Sequence, residues 1–426
     1  MDFFVRKETE LYCEEVPLSK IANDVGTPAY VYSAATIARH VRVLQKALEP
    51  LRAQICYAVK ANSNLAVLEL LKSLGCGFDA VSLGELKRVE KIKAPPKAVI
   101  FSGVGKRDDE IAAALEYGPL YICVESAEEL GAIAKLAEKL NIEAPISIRV
   151  NPNVDPKTHA YIATGLTKNK FGVPIEKAYA LYQFAKKHPL LKPVGVTCHI
   201  GSQITTLSPF IDTARIMHEI TQRLISEGIT LDYLGMGGGL GIPYTSNETP
   251  PDPDAYGKVL AEVFHDLPLR IVFEPGRVIV GNAGVLLSRV IRRKIGEKRN
   301  FIILDTAMND LIRPSLYHAH HELESVTKEP EDKIIADVVG PVCESADTFL
   351  EQVEIPNWTA GDLVAIRSVG AYGFVMSSTY NGRPRPPEVI CYGDQFQVIR
   401  ARESYEDLWQ HETPLSEHDL SALSED

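Results

Sequence analysis

Four residues that could carry out proton or covalent chemistry lie at or just after short apolar runs of the sequence. Lys60, His199 and Glu274 each directly follow such a run, and Asp79 falls near the end of another. A lysine in this position is costly to bury unless its charge is paired or its amine is used covalently, as in a Schiff base. Each residue also has a plain structural interpretation: Lys60 as an extended side chain at a rim, His199 as a hydrogen-bonded core histidine, and Glu274 as a salt-bridge partner of Arg277.

A glycine-rich segment, Gly235–Gly241, follows another of these runs. It does not match the dinucleotide-binding pattern, because Leu240 stands where a final Gly or Ala is needed, and it lacks the Lys-Ser/Thr ending of a P-loop. By itself it could be a flexible turn. If it follows a barrel strand, its bare backbone N–H groups could instead bind a phosphate.

The elements that position these residues alternate regularly between about residues 54 and 274. Short runs rich in β-branched residues are separated by longer segments with helical periodicity, which predicts βα units and a parallel sheet. The runs are Ile55–Val59, Gly77–Val81, Ala98–Phe101, Leu120–Val124, Ile146–Val150, Val194–Cys198, Asp232–Met236 and Arg270–Phe273. Eight of them predict a TIM-type (β/α)8 barrel, with an open doubly wound sheet as the alternative. In such a barrel the chemistry lies at the C-terminal ends of the strands, so the residues named above should meet at one face.

After about residue 280 the pattern changes to strand-like runs separated by Gly, Pro and Asn turns, which predicts a C-terminal β-rich domain. These runs are Val285–Ile291, Phe301–Leu304, Asp337–Val339, Leu363–Ile366 and Glu388–Tyr392. The apolar segment Ala29–Tyr32 precedes the barrel pattern and is expected to add a strand to that domain. We therefore predict an N-terminal segment (1–35), a barrel domain (36–280), a β domain (281–405) and an acidic, partly flexible tail (406–426).

Composition restricts the functional classes. The 426 residues contain 45 Lys and Arg against 56 Asp and Glu, a net charge of -11, so we expect neither nucleic acid nor an anionic membrane as a partner. No apolar stretch approaches the ~20 residues of a membrane span, and the first residues do not resemble a signal peptide, which predicts a cytoplasmic protein. The seven cysteines are scattered, without the spacing of a metal site or of a disulfide framework.

Together these residues predict a pyridoxal phosphate site. Lys60 would form the Schiff base, and the segment Gly235–Gly241, called the glycine loop below, would hold the phosphate. Glu274 would face the pyridine nitrogen, and His199 would stack on the ring.

Nine motifs in a fixed order carry a resemblance to a known family. They are Tyr57–Asn62, Phe78–Leu86, Phe101–Lys106, Cys198–Gln203, Gly237–Gly239, Glu274–Arg277, Met308–Pro314, Gly340–Ser345 and Gly370–Gly373. Over nearly its whole length the chain resembles the fold-type III pyridoxal-phosphate decarboxylases, which have alanine-racemase-like barrels. It is most similar to the branch that acts on meso-diaminopimelate.

The resemblance implies a barrel with a C-terminal β domain, assembled into head-to-tail homodimers whose two active sites share residues across the interface. The catalytic residues it implies are Lys60, His199 and Cys343. The cofactor-binding residues are Lys60, Asp79, His199, Ser202, Gly238, Gly239, Glu274, Gly276, Arg277 and Tyr372. The substrate-binding residues are Arg277, Arg313, Tyr317, Glu344 and Tyr372, with Cys343 and Glu344 supplied by the other subunit.

The residue chemistry agrees with a decarboxylase. A carboxylate facing the ring nitrogen, here Glu274, favours the strong electron sink that decarboxylation needs, whereas a racemase of this superfamily is expected to have an arginine there. Arg277 and Arg313 suit the distal carboxylate of meso-diaminopimelate, which ornithine and arginine lack. Glu344 could neutralise the distal ammonium group, and Cys343 could return a proton to the substrate carbon.

The sequence therefore predicts pyridoxal-phosphate-dependent decarboxylation of meso-2,6-diaminopimelate to L-lysine and CO2, the last step of lysine biosynthesis. The alternatives are a barrel decarboxylase acting on ornithine, arginine or carboxynorspermidine, and a non-catalytic homologue that binds the cofactor.

The run His318–His321 contains three histidines and could suggest a metal site. No carboxylate or cysteine at a matching spacing accompanies it, so we predict the surface of a loop or helix and no metal. The conformation of the loop from Thr164 to Phe171 does not follow from the sequence.

Overall fold

A computed structural model of the chain describes residues 2–155, 170–245 and 247–416. Most of the Thr164–Phe171 loop and the end of the acidic tail (417–426) lie outside these residues. The chain begins with a small antiparallel sheet, followed by one helix and a fully buried strand. These elements are β1 (Phe4–Lys7), β2 (Glu10–Cys13), β3 (Val16–Pro17), α1 (Leu18–Val25) and β4 (Ala29–Ser33).

A closed barrel of eight parallel strands follows, in which each strand pairs with the next along the chain and the last pairs with the first. The alternating elements are α2 (Ala34–Leu48), β5 (Gln54–Ala58), α3 (Leu65–Ser73), β6 (Gly77–Ala80), α4 (Leu83–Lys91), β7 (Val99–Phe101), α5 (Asp108–Tyr117), β8 (Tyr121–Val124), α6 (Ala127–Leu140), β9 (Ala144–Asn151), β10 (Val173–Pro174), α7 (Ile175–Lys187), β11 (Leu191–Thr197), α8 (Ser208–Ser226), β12 (Tyr233–Gly237), α9 (Pro253–Phe264), β13 (Arg270–Phe273) and α10 (Arg277–Val280). Of these, β10 is a short addition beside β9 and not one of the eight barrel strands.

The ring of helices is closed by the helix that precedes the barrel. The segment after β13 forms only the four-residue α10, too short to cover a barrel face. Helix α2 instead packs against both α3 and α9, with Ile37, Val41 and Leu44 buried. The connection from β13 is thereby left free to carry Glu274 and Arg277 at the barrel mouth.

The remaining chain forms a β-rich domain around one long strand. Its elements are β14 (Gly284–Ile295), β15 (Asn300–Leu304), α11 (Arg313–Tyr317), β16 (Leu323–Ser325), β17 (Lys333–Val339), β18 (Thr348–Pro356), β19 (Leu363–Ile366), β20 (Glu388–Tyr392) and β21 (Gln395–Arg400). The sheet has the order β18-β17-β15-β14-β4-β20-β21, and β19 joins β14 to β16. The N-terminal β4 thus lies between two C-terminal strands, antiparallel to β14 and parallel to β20.

The predicted fold class is confirmed: a TIM-type barrel with a C-terminal β-rich domain that takes up the N-terminal strand. Three strands of the β-rich domain were not predicted: β16, which has only three residues, and β18 and β21, in which exposed residues interrupt the apolar pattern. Residues 409–416 form no helix or strand. Within the described part of the chain, no helix combines the length and the apolar character that crossing a membrane requires.

Candidate active site

The predicted site residues surround a cavity at the C-terminal end of the barrel strands. The cavity has a volume of about 570 Å³ and is continuous with a smaller recess at the glycine loop. Lys60, His199, Ser202, Glu274, Arg277 and Tyr372 line both spaces. Gly238, Gly239 and Gly276 line only the recess, whereas Arg313 and Tyr317 line only the larger cavity. The two ends therefore differ in chemistry: the recess is lined by glycine backbone and the larger cavity by Arg313, while Arg277 reaches both.

Lys60 lies in a short 3₁₀ turn directly after β5, and its side chain is 42% exposed, toward the cavity. Its Nζ is 3.6 Å from Oδ2 of Asp79, a buried carboxylate at the end of β6. Burial by itself would lower the pKa of Lys60. The negative charges of Asp79 and, to a smaller extent, Glu274 together have a larger effect, so the pKa of Lys60 is raised. Oδ2 of Asp79 has no hydrogen-bond partner among the residues that the structure describes, and Ser102 donates a hydrogen bond to the other oxygen. Asp79 therefore holds the amine of Lys60 at the cavity wall.

Glu274 extends β13 into the cavity, and its backbone N–H donates to the carbonyl of Gly237 at 2.8 Å. Burial and then the neighbouring Asp79 raise the pKa of Glu274 to about 8, although Lys60 acts in the opposite direction. A carboxyl group in this environment lacks a strong cationic partner. A cationic N–H brought next to it would favour its ionised form.

His199 follows β11, and its Nδ1 accepts a hydrogen bond from the backbone N–H of Gly238 at 3.1 Å. Burial, and then the cationic Arg149 and Lys60, lower the pKa of His199 well below its usual value. The imidazole is therefore neutral, with its proton on Nε2. The histidine thus has a structural role, in holding the glycine loop, and also presents its ring to the cavity.

The glycine loop packs too closely against its neighbours to accept side chains. A Cβ at Gly238 would lie 2.3 Å from the carbonyl oxygen of Glu274, and one at Gly239 would lie 2.6 Å from that of Gly201. Gly239 also has a φ of +112°, which favours glycine. Close backbone packing therefore explains these glycines better than the flexible turn that the sequence also allowed.

Arg277 joins the two ends of the site from the first turn of α10. Its Nη2 donates to Oγ of Ser202 at 3.1 Å, and its Cζ lies 4.9 Å from the centre of the Tyr372 ring. Tyr372 comes from the β-rich domain, and its backbone N–H donates to the carbonyl of Ala61 at 2.8 Å. Tyr372 has a φ of +57°, an uncommon conformation for a tyrosine that other constraints must hold in place. No salt bridge between Arg277 and Glu274 is found, so that alternative for Glu274 is wrong.

Arg313 and Tyr317 begin and end α11, and both side chains reach the larger cavity. Burial lowers the pKa of Arg313, and the nearby charge of Arg277 adds to this effect. Two buried guanidinium groups, those of Arg277 and Arg313, thus line the larger cavity.

Cys343 and Glu344 are not brought into this cavity. Both are exposed on the loop between β17 and β18, and Asn381 accepts a hydrogen bond from the backbone N–H of Cys343 at 3.0 Å. All other cysteines of the chain are buried and unpaired. Within one chain the site therefore lacks these two predicted residues.

The sequence analysis missed Tyr244 and misjudged His321. Tyr244 follows the glycine loop, lines the larger cavity and accepts a hydrogen bond from Nη1 of Arg277. His321 is 1% exposed and bonds to Arg313, so its placement on a surface was wrong; only His318 and His320 of that run are exposed. The chain turns inward after α11, which the run of histidines does not reveal, whereas an aromatic residue just beyond a barrel-mouth loop was a usable signal for Tyr244. Among the described residues no group of three His, Cys, Asp or Glu side chains could hold a metal ion.

The residues present fit pyridoxal phosphate. The site offers a cavity-facing primary amine beside a buried carboxylate oxygen that lacks a hydrogen bond to any described residue, and a second carboxyl group whose pKa is raised by burial and by Asp79. At the other side a loop without side chains leaves backbone accessible to the recess. These features match an aldehyde, a ring nitrogen and a phosphate, respectively.

Comparisons with known proteins agree with this chemistry. Residues 34–281 match the family model described as "Pyridoxal-dependent decarboxylase, pyridoxal binding domain". The chain is 47% identical to a diaminopimelate decarboxylase of Pseudomonas aeruginosa over 97% of this chain and 100% of that protein. The diaminopimelate decarboxylase structure of Helicobacter pylori complexed with L-lysine has a TM-score of 0.89 at 43% identity, covering 92% of this chain and 98% of that one. The corresponding M. jannaschii structure, also with L-lysine, has a TM-score of 0.93 at 35% identity, covering 98% and 99%. The chain therefore belongs to the pyridoxal-dependent decarboxylases and, within them, to the diaminopimelate decarboxylase family.

Proposed function

We propose that this protein decarboxylates meso-2,6-diaminopimelate to L-lysine and CO2 with pyridoxal phosphate as cofactor, the last step of lysine biosynthesis. The observation that carries the proposal is the pair Arg277 and Arg313, which both line the larger cavity. In the described part of the chain neither forms an ion pair with a carboxylate, so both are available for one on a ligand. The guanidinium fork binds a carboxylate through two parallel hydrogen bonds.

The cofactor would be held by residues from several strands. Lys60 would bind its aldehyde carbon, Glu274 its ring nitrogen, His199 its ring face, and Ser202 with Gly238–Gly239 and Gly276 its phosphate, while Asp79 orients Lys60. When bound, pyridoxal phosphate supplies an electron sink that accepts the electron pair left behind as CO2 departs from the amino-acid carbon. A carboxylate at Glu274 favours the protonated ring nitrogen on which this sink depends.

The other residues of this chain bind and orient the substrate. Arg277, Arg313 and Tyr317 would fix the distal carboxylate, and Tyr372 would close the cavity over cofactor and substrate. Ornithine and arginine lack a second carboxylate, so binding them would leave two buried guanidinium groups without a counterion, at a cost of several kcal/mol. The arrangement accordingly counts against these substrates.

We also propose that the enzyme is a cytoplasmic homodimer in which Cys343 and Glu344 of one subunit complete the site of the other. The exposure of both residues, outside the cavity of their own chain, supports this assembly. Cys343 would return a proton to the substrate carbon, and Glu344 would neutralise the distal ammonium group. Seven unpaired cysteines support a reducing compartment. We propose the same division into segments 1–35, 36–280, 281–405 and 406–426; the family match over residues 34–281 supports the bounds of the barrel segment.

The first test offers the purified enzyme, with pyridoxal phosphate, four substrates in parallel: meso-diaminopimelate, ornithine, arginine and carboxynorspermidine. We expect CO2 and L-lysine from meso-diaminopimelate alone. Lys60→Ala should lose both this activity and the visible absorbance of the lysine-bound cofactor, whereas Lys187→Ala, at the end of the outer helix α7, should keep both. Preferred turnover of another substrate would overturn the assignment, and cofactor absorbance without any turnover would point to the non-catalytic alternative.

A further inference from the structure

Arg277 and Arg313 are buried next to each other without a counterion. They are 6% and 5% exposed, and Nε of each has no hydrogen-bond partner among the described residues. Two like charges in a weakly polar cavity repel each other, and a long flexible side chain would normally turn away toward water. Other groups must therefore hold both side chains in place before a carboxylate arrives.

Tyr244 contacts both arginines. Its ring centre is 5.7 Å from Cζ of Arg277 and 4.8 Å from Cζ of Arg313, within the range of a cation–π interaction. Its hydroxyl oxygen also accepts a hydrogen bond from Nη1 of Arg277. The backbone N–H of Tyr244 donates to Glu248 at 2.7 Å, which fixes the segment that carries the ring. One aromatic side chain thus contacts both cations.

His321 is the second group that holds Arg313. Its Nε2 is 3.0 Å from Nη1 of Arg313, and its Nδ1 is 2.8 Å from the backbone carbonyl of Arg367. Because a guanidinium group only donates and a carbonyl only accepts, Nε2 must carry the lone pair and Nδ1 the proton. The ring also packs edge-on against Tyr244, with centres 5.2 Å apart and planes at 84°. Burial, with the charge of Arg313, lowers the pKa of His321 to about 3, in keeping with a neutral imidazole at physiological pH.

We propose that Tyr244 and His321 are positioning residues, which hold Arg277 and Arg313 side by side at the separation that grips a single carboxylate of the substrate. This inference rests on the proposed function, since it assigns the pair to the distal carboxylate. Arg277 and Arg313 contact the substrate, whereas Tyr244 and His321 act through them. By preorganising two mutually repelling groups, they spare the ligand the cost of ordering them.

The test compares two ligands that differ only in a carboxylate. L-Lysine keeps the carboxylate that decarboxylation leaves in place, and pentane-1,5-diamine is the same diamine without it. Isothermal titration of the holoenzyme measures its affinity for each ligand. The difference between the two affinities is the contribution of the carboxylate. Because a hydrogen bond to a charged group contributes about 1.5–3 kcal/mol, we expect Tyr244→Phe and His321→Leu to weaken L-lysine binding about 10-fold or more. The affinity for pentane-1,5-diamine should stay within about twofold of wild type.

Conservative and remote variants serve as controls. His321→Gln keeps an acceptor for Arg313 and should restore part of the L-lysine affinity lost in His321→Leu. His218→Gln, which changes an exposed histidine paired with Asp266 on the outer face of the barrel, should bind both ligands as wild type does. If His321→Leu does not fold, Tyr244→Phe and His321→Gln carry the comparison.

The outcomes distinguish this inference from the proposed function. Equal weakening of both ligands would indicate a general structural role and overturn the inference, as would variants that bind L-lysine normally. Wild-type enzyme that does not prefer L-lysine to the diamine would overturn the proposed function itself.

Discussion

At the scale of single residues, the site contains an excess of acidic groups near Lys60 and an excess of positive charge at Arg277 and Arg313. Near Lys60 lie two carboxyl groups, those of Asp79 and Glu274, and burial together with the charge of Asp79 raises the pKa of Glu274. At the substrate end, Arg277 and Arg313 are buried without a carboxylate. Each imbalance corresponds to a charged group of the ligands: a cationic ring nitrogen at one side and a carboxylate at the other. Binding of these ligands would therefore relieve an electrostatic cost of the folded chain.

The raised pKa of Glu274 predicts how the stability of the cofactor-free protein depends on pH. Its carboxyl group titrates at about 8 in the folded chain, against 4.5 for an unperturbed glutamate. The folded state thus binds one more proton than the unfolded state between these values. The associated stability is fully present below about pH 4.5 and is lost as the pH rises through about 8.

Glu274→Gln, which stays neutral, should therefore lose less unfolding free energy than wild type between about pH 5 and pH 9. Urea unfolding of the cofactor-free proteins at several pH values measures this difference. Glu262→Gln, an exposed change on α9, should follow the wild-type curve. Parallel curves for wild type and Glu274→Gln would show that Glu274 is already ionised in the folded protein.

At the scale of elements, the site depends on short connections between strands and helices that have no room for additional atoms. The loop after β12 packs its backbone directly on the segment after β13, and α2 replaces the missing eighth barrel helix. This replacement leaves the first residues after β13 to form part of the site. The geometry of the recess is therefore set by backbone contacts between neighbouring βα loops.

Gly238→Ala tests that dependence. The added methyl group would lie 2.3 Å from the carbonyl oxygen of Glu274, so one of the two loops must shift. We expect a loss of about 1–3 kcal/mol in unfolding free energy, typical of overpacking, together with weaker cofactor binding. Urea unfolding and titration with pyridoxal phosphate measure the two effects.

Gly131→Ala is the matched control, because a Cβ there meets no atom within 4 Å on helix α6. It should raise stability by about 0.5–1 kcal/mol and leave cofactor binding unchanged. Normal cofactor affinity in Gly238→Ala would contradict the assignment of the glycine loop to the phosphate.

At the scale of the whole molecule, the two ends of the chain meet in one sheet, and the cavity lies where that sheet approaches the barrel. Strand β4 is enclosed between β14 and β20, and Tyr372 of the β-rich domain bonds to the Lys60 turn. The site is thus built from both parts of the chain. A single copy still leaves Cys343 and Glu344 outside it.

Mixing two inactive variants tests whether a second copy completes the site. Lys60→Ala and Cys343→Ala should each abolish or strongly reduce turnover. In a mixed dimer one of the two sites contains both intact residues, so random exchange of subunits should restore about a quarter of wild-type activity. Sedimentation before and after mixing verifies the dimer. No recovery despite subunit exchange would place Cys343 and Lys60 in the same chain's site or remove Cys343 from the reaction.

Much of the fold and part of the site follow from the sequence alone, because the signals are local. Alternating strand and helix periodicity predicts eight βα units, and the residue after each strand must lie at the barrel mouth whatever the details of packing. Lys60, His199 and Glu274 were therefore correctly expected to share one face. The strand Ala29–Tyr32 was recognisable as apolar, and its incorporation into the C-terminal sheet was also predicted correctly.

Only the tertiary structure decided which distant residues contact one another. Tyr244, Arg277 and His321 belong to three separate segments, and no periodicity links them; their contacts depend on how the β-rich domain meets the barrel. The burial of His321 beside two exposed histidines follows from the direction of the chain after α11, and the exposure of Cys343 from the path of the loop between β17 and β18. Sequence patterns report which face of an element is apolar, whereas charge pairing in a cavity is decided by contacts between elements, and these form only when the whole chain is packed.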